Sequence, residues 1–118
     1  MKTEFTTNWT KEELKIYLLI FCANADFTES KTEVDFIKSR TDSQYFDKIH
    51  QEFDKDNDYI SIQKLKLALD RHNYSTNGIK SILDDVKDLF IADGVFDPLE
   101  ENLLRGLNHI FVKNNSWA

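Results

Sequence analysis

The chain has 118 residues, 41% hydrophobic and 31% charged, a balance that fits one soluble globular domain with a real core. Three Gly and one Pro disfavour a turn-rich all-β fold, and nine Phe point to large rings filling a small helical bundle. A formal charge of −6 argues against a nucleic-acid surface, which needs clustered Lys and Arg to displace counterions, and suits a cation or a basic partner.

Residues 1–8 are polar and unpatterned and read as a disordered tail. Thr10 is placed to cap a first helix over about residues 10–24. Glu13 completes a capping box there, and Trp9 is placed to staple onto Leu14. Leu14, Tyr17, Leu18 and Phe21 recur at helical spacing, and Ile16, Leu19, Ile20 and Cys22 widen the band almost to the full circumference. A helix apolar nearly all round belongs at the centre of a fold. The run Ile16 to Cys22 followed by Ala23-Asn24-Ala25 imitates an export signal. The preceding segment carries no side-chain positive excess, Phe21 is too large for a lipoprotein cleavage site, and the run is far short of the ~20 residues that span a bilayer. The reading is a cytoplasmic protein without membrane insertion. The single Cys22 excludes an intrachain disulfide and, on the apolar side of this helix, reads as a structural thiol.

Ser30 and Glu33 form a second capping box, opening a helix through Val34, Phe36 and Ile37 to about Arg40. Asp42 is placed to cap a third helix bearing Tyr45, Phe46, Ile49 and Phe53. A fourth, with Ile62, Leu65 and Leu69, ends near Asn73. A fifth, starting at Ser75 or Thr76, points Ile79, Ile82, Leu83, Val86, Leu89 and Phe90 inward. Asp97-Pro98-Leu99-Glu100 is a strong helix start, with Asp capping, Pro in the first turn and Glu reaching back. Leu99, Leu103, Leu107, Ile110 and Phe111 continue that last helix, where Gly106 offers a place for close helix approach. The expected architecture is all-α, with six or seven helices, the helices at about 10–24 and 75–91 at the centre, and Leu18, Phe21, Leu83, Val86 and Phe90 in one cluster. The domain spans 9–113, with 114–118 a C-terminal tail.

Two stretches read as copies of one device. Ala25-Asp26 followed by Glu33, and Ala92-Asp93 followed by Glu100, are separated by the same 67 residues. In each, an apolar helix ends at the Asp and the next begins just before the Glu, so an internal duplication would bring two acidic pairs to a pseudo-two-fold axis. Four carboxylates plus carbonyls freed at helix ends suit a hard cation of the Ca²⁺ or Mg²⁺ type. The same residues have a second reading, because each Glu is the third residue of a capping box and each Asp opens a tight turn.

Ala92-Asp93-Gly94-Val95-Phe96-Asp97-Pro98-Leu99-Glu100 resembles the acidic signature of the TerB-like tellurite-resistance family, and Ala25-Asp26-Phe27-Thr28-Glu29-Ser30 through Glu33 resembles a degenerate copy. The resemblance covers about Trp9 to Phe111. It implies a compact multihelical fold with a pseudo-two-fold duplication, a divalent metal held through Asp26, Glu33, Asp93 and Glu100, and a role in tellurite-type stress through protein partners rather than catalysis. Phe27 stands where the second copy has Gly94, so the two turns differ in the backbone they admit. The alternative is a protein–protein interaction domain with no metal, its acidic turns serving only as caps.

Asp54-Lys55-Asp56-Asn57-Asp58 imitates the opening of an EF-hand loop. Tyr59 stands where the loop requires Gly, and Leu65, or Lys64 if one residue is skipped, stands in place of the closing Glu. The segment reads as an acidic helix–helix connection that does not bind Ca²⁺ tightly. His50, His72 and His109 lie far apart with no nucleophile or metal-ligand company in sequence, and no phosphate-binding Gly-rich loop is present. The chain does not read as an enzyme.

Overall fold

In a computed structural model, residues 7–24, 30–72, 76–92 and 105–106 are described, and all regular structure among them is helical. Five helices follow in order: α1 (Lys11–Ala23), α2 (Lys31–Arg40), α3 (Phe46–Lys55), α4 (Asp58–His72) and α5 (Thr76–Ala92), with a 3-10 turn at Ser43–Tyr45 before α3. The expected sixth helix falls almost wholly outside the described residues, as does the relation between the two proposed repeats. Arg105 and Gly106 within it are helical.

α1 packs against each of α2, α3, α4 and α5, while α2 and α5 also pack on one another. The cause is its composition. Leu14, Ile16, Tyr17, Leu18, Leu19, Ile20, Cys22 and Ala23 are all buried, so little of the helix is left for solvent beyond Lys11, Glu12, Lys15 and part of Phe21. The other helices present one stripe each to it: Ile37 from α2, Phe46 and Ile49 from α3, Leu65, Ala68 and Leu69 from α4, and Ile79, Ile82, Val86, Leu89 and Phe90 from α5. Leu18, Val86 and Phe90 lie inside this cluster as expected. Phe21 and Leu83 are only partly buried and pack at its margin.

The helix starts are set by side chains. The Thr10 amide donates to Glu13 Oε1 at 2.9 Å, and the Glu13 amide donates to Thr10 Oγ1 at 3.1 Å, closing the first capping box. Asn57 starts α4, its Oδ1 accepting the Ile60 amide at 2.8 Å. Asp42 accepts the Gln44 amide at 3.3 Å, so it caps the 3-10 turn rather than α3 itself, which begins four residues later. The α3–α4 corner consists of Asp56 and Asn57 alone. That leaves no room for a twelve-residue cation loop, in keeping with a plain connection. Among the described residues, a Cβ added at Gly106 would meet nothing within 4 Å, so no close helix approach is seen there.

Candidate functional site

Of the four acidic positions, Glu33 is described, and Asp26, Asp93 and Glu100 lie outside the described residues. Glu33 is buried at 4% exposure, near the N-terminus of α2. Its Oε1 accepts both the Ser30 amide and the Ser30 hydroxyl at 3.1 Å, while the Glu33 amide donates back to Ser30 Oγ at 3.1 Å. The capping box expected there is complete. Among the described residues, no group of three His, Cys, Asp or Glu side chains is arranged to hold a metal ion.

A different polar constellation connects the helices. The Tyr17 hydroxyl, in the middle of α1 and fully buried, donates to Asp56 Oδ2 at 2.7 Å and lies 2.8 Å from Ser61 Oγ of α4. Lys64 of α4 places its ammonium 2.7 Å from the same Asp56 oxygen and 2.8 Å from Glu52 Oε2 of α3. Glu52 Oε1 in turn accepts the Trp9 indole N–H at 3.2 Å. Burial disfavours the charged form of Lys64, but hydrogen bonds to Asp56 and Glu52 and their negative charge outweigh it and hold its pKa above the ordinary lysine value. Burial, reinforced by the Asp56 charge, pushes the Tyr17 phenol well above its usual range, so it stays a neutral donor.

Trp9 does more than staple the helix start. Its ring lies on Tyr17 with centroids 4.4 Å apart, and Tyr17 meets Phe53 edge-on at 5.7 Å. Its carbonyl accepts from the Arg71 guanidinium, and His72 Nε2 lies 2.8 Å away, so the end of α4 holds the chain just before α1. Beside this cluster a cleft of about 340 Å³ is lined by Thr7, Asn8, Trp9, Glu13, Lys48, Glu52 and Lys64. Its ionic groups are matched within the fold: Lys48 Nζ lies 2.9 Å from Glu13 Oε2, as Lys64 Nζ lies 2.8 Å from Glu52 Oε2. Burial alone would raise the Glu13 pKa, but the Thr10 amide and Lys48 lower it below the ordinary carboxylate value.

Cys22 is buried, and desolvation, with a contribution from the Glu33 charge, drives its thiol far above the ordinary value, which makes it a packing residue. His50 sits 3.1 Å from Asp54 one helical turn away, and His109 lies outside the described residues. No helix among the described residues is long and apolar enough to cross a membrane.

Sequence reasoning found Glu33 and its cap, and missed the Tyr17–Asp56–Ser61–Lys64–Glu52 constellation. Its members come from three helices, and no local spacing links Tyr17 to a residue 39 positions away. The one available hint was Lys64 itself, the wrong charge at the end of an acidic loop pattern. No protein-family model, curated protein or solved structure matches this chain.

Proposed function

We propose that this chain is a non-enzymatic, TerB-like helical module that acts through a protein partner, with its acidic turns serving as helix caps. The observation that supports the cap part of this reading is the Ser30–Glu33 box, in which the acidic residue shared with the TerB-like pattern engages its own cap residue through one carboxylate oxygen. Of the described residues, the Cys22 thiol and the Tyr17 phenol are both buried and both pushed away from ionisation, so neither is poised as a nucleophile. The tellurite-type stress role rests on the resemblance at 92–100 and its degenerate copy at 25–33, the cytoplasmic reading on the absence of an export signal in the first helix, and both belong to the same proposal.

The competing reading, a Ca²⁺- or Mg²⁺-type ion held by Asp26, Glu33, Asp93 and Glu100, makes a different prediction in one measurement. A cation that binds only the folded state raises the melting temperature with concentration. Chelator-treated protein is expected to melt at the same temperature with Ca²⁺, Mg²⁺ or Zn²⁺ up to millimolar concentration, and Asp93→Asn to melt with the wild type, since Asn supports the same turn. A saturable upward shift in the wild type that Asp93→Asn abolishes would overturn the cap reading in favour of the metal.

A further inference from the structure

Glu52 lies in the last turn of α3 and Asp56 is the extended residue that follows its end, and two like charges sharing one site repel. Both are drawn onto a single point. Lys64 Nζ lies 2.8 Å from Glu52 Oε2 and 2.7 Å from Asp56 Oδ2, with the lysine side chain 12% exposed and that of Asp56 10%. The remaining contacts of the two acids carry the surrounding fold. Glu52 holds the Trp9 indole, and Asp56 holds the Tyr17 hydroxyl, which also meets Ser61. Whatever neutralises these carboxylates therefore fixes the α3–α4 corner, the approach of the chain to α1 and the centre of α1 together.

We propose that the Lys64 ammonium is the resident cation of the α3–α4 corner, holding Glu52 and Asp56 together so that the corner is locked without dependence on Ca²⁺, and that its removal opens that point to a divalent ion. The lysine comes from α4, about two turns beyond the corner, and reaches back to the end of α3. An ammonium and a hard divalent ion both draw two carboxylates together, the ammonium with one positive charge and N–H donors, the ion with two charges and no donors. They differ in that the ion takes oxygens at about 2.3–2.6 Å and is supplied by solution, whereas the lysine arrives with the chain. The acidic run 54–58, which imitates the opening of a Ca²⁺ loop, is then part of a corner that carries its own positive charge.

The test uses the full chain after chelation, with Lys64→Gln and the double variant Lys64→Gln with Glu52→Gln. Thermal unfolding is followed by circular dichroism, with and without about 5 mM Ca²⁺, above the weakest range of protein Ca²⁺ sites. Lys64→Gln is expected to lower the melting temperature by roughly 10 °C, as for a broken, largely buried ion pair in a small domain. Ca²⁺ is expected to restore a substantial part of that loss, by a shift larger than any it produces in the wild type. The double variant is expected to melt above Lys64→Gln and to lose the extra Ca²⁺ response. If Lys64→Gln does not fold in chelator, folding on addition of Ca²⁺ supports the proposal, and failure to fold with Ca²⁺ overturns it. A Lys64→Gln variant as stable as the wild type, or one destabilised with no Ca²⁺ response beyond that of the wild type, also overturns it. Because the readout is the difference between variant and wild type, a metal at the Asp26 and Asp93 turns, which would defeat the cap reading, leaves this result unaffected.

Discussion

Replacing Tyr17 by Phe removes one oxygen atom and keeps the ring that stacks between Trp9 and Phe53. The hydroxyl lost is the joint between three helices. It donates to the Asp56 carboxylate at the end of α3 at 2.7 Å and meets Ser61 Oγ of α4 at 2.8 Å. A hydrogen bond to a charged acceptor is worth about 1.5–3 kcal/mol, and the Ser61 hydroxyl left behind adds a desolvation cost of about 1–3 kcal/mol where it finds no other partner. Asp56 keeps Lys64 on the same oxygen, which limits the damage on that side. The expected loss for Tyr17→Phe is therefore about 2–4 kcal/mol, read from urea unfolding at unchanged m-value. Adding Ser61→Ala removes the orphaned hydroxyl, and the double variant is expected to recover about 1 kcal/mol of that loss, because the two sites share the interaction. Tyr45→Phe, at a ring 37% exposed, is the control and is expected to change stability little. A loss below about 0.5 kcal/mol for Tyr17→Phe, no larger than for an ordinary surface substitution, would refute the view that this hydroxyl ties the helices together.

Leu18, at 1% exposure in the most enclosed helix, is expected to cost about 2–5 kcal/mol on substitution by Ala, and a measured loss under about 0.5 kcal/mol would place it outside the core. Leu83→Ala is expected to cost less than Leu18→Ala, since Leu83 packs only at the core margin, and the reverse order would contradict that placement. Native Cys22 is expected to react with a thiol reagent only as fast as the protein opens, so labelling at the rate of a free thiol would show that the α1 core is looser than described. Glu13 has its pKa lowered in the folded state, so its stabilisation is present above the ordinary carboxylate value and is lost as pH falls through the lower folded value. The stability gap between wild type and Glu13→Gln is accordingly expected to narrow on acidification below about pH 4.5, and a gap independent of pH would remove the assigned cause.

The helices were legible because their signals are local. Thr10 with Glu13 and Ser30 with Glu33 mark two helix starts within four residues each, and both boxes form as the spacing predicts. The centrality of α1 followed from an apolar band too wide for any one neighbour to cover. Asp42 misled by one element, because the 3-10 turn it caps interposes three residues before α3 begins. Trp9 was legible as an apolar residue at the start of α1 but not as the point where α1, α3 and α4 meet, since Glu52, Arg71 and His72 lie 43 to 63 residues away. The polar constellation was illegible for the same reason. A carboxylate on a helix end looks alike in sequence whether it meets solvent, an amide, a lysine or an ion, and only the fold decides which.

Those decisions follow one pattern in this chain, and the pattern bears on the metal question. Glu13 and Glu33 are both third residues of capping boxes, and both are buried. Glu13 shows that capping uses one oxygen and leaves the other for a cation: Oε1 takes the Thr10 amide while Oε2 meets Lys48 at 2.9 Å. The cation that arrives belongs to the chain. The same holds where Lys64 meets Glu52 and Asp56, and where Lys15 of α1 and Arg40 of α2 converge on Asp85 of α5 at 3.0 and 3.3 Å. In each case a lysine or arginine from one helix neutralises an acid on another, so that charge neutralisation and helix packing are the same event. Among the described residues these helix contacts draw on the chain's own ammonium or guanidinium groups, and the proposal for Lys64 expects cation dependence to be introduced by removing one of them. Substituting Lys64 does so at the most enclosed of these lysines, and a Ca²⁺ response that appears only there would show that the surplus of acid is held in check from within.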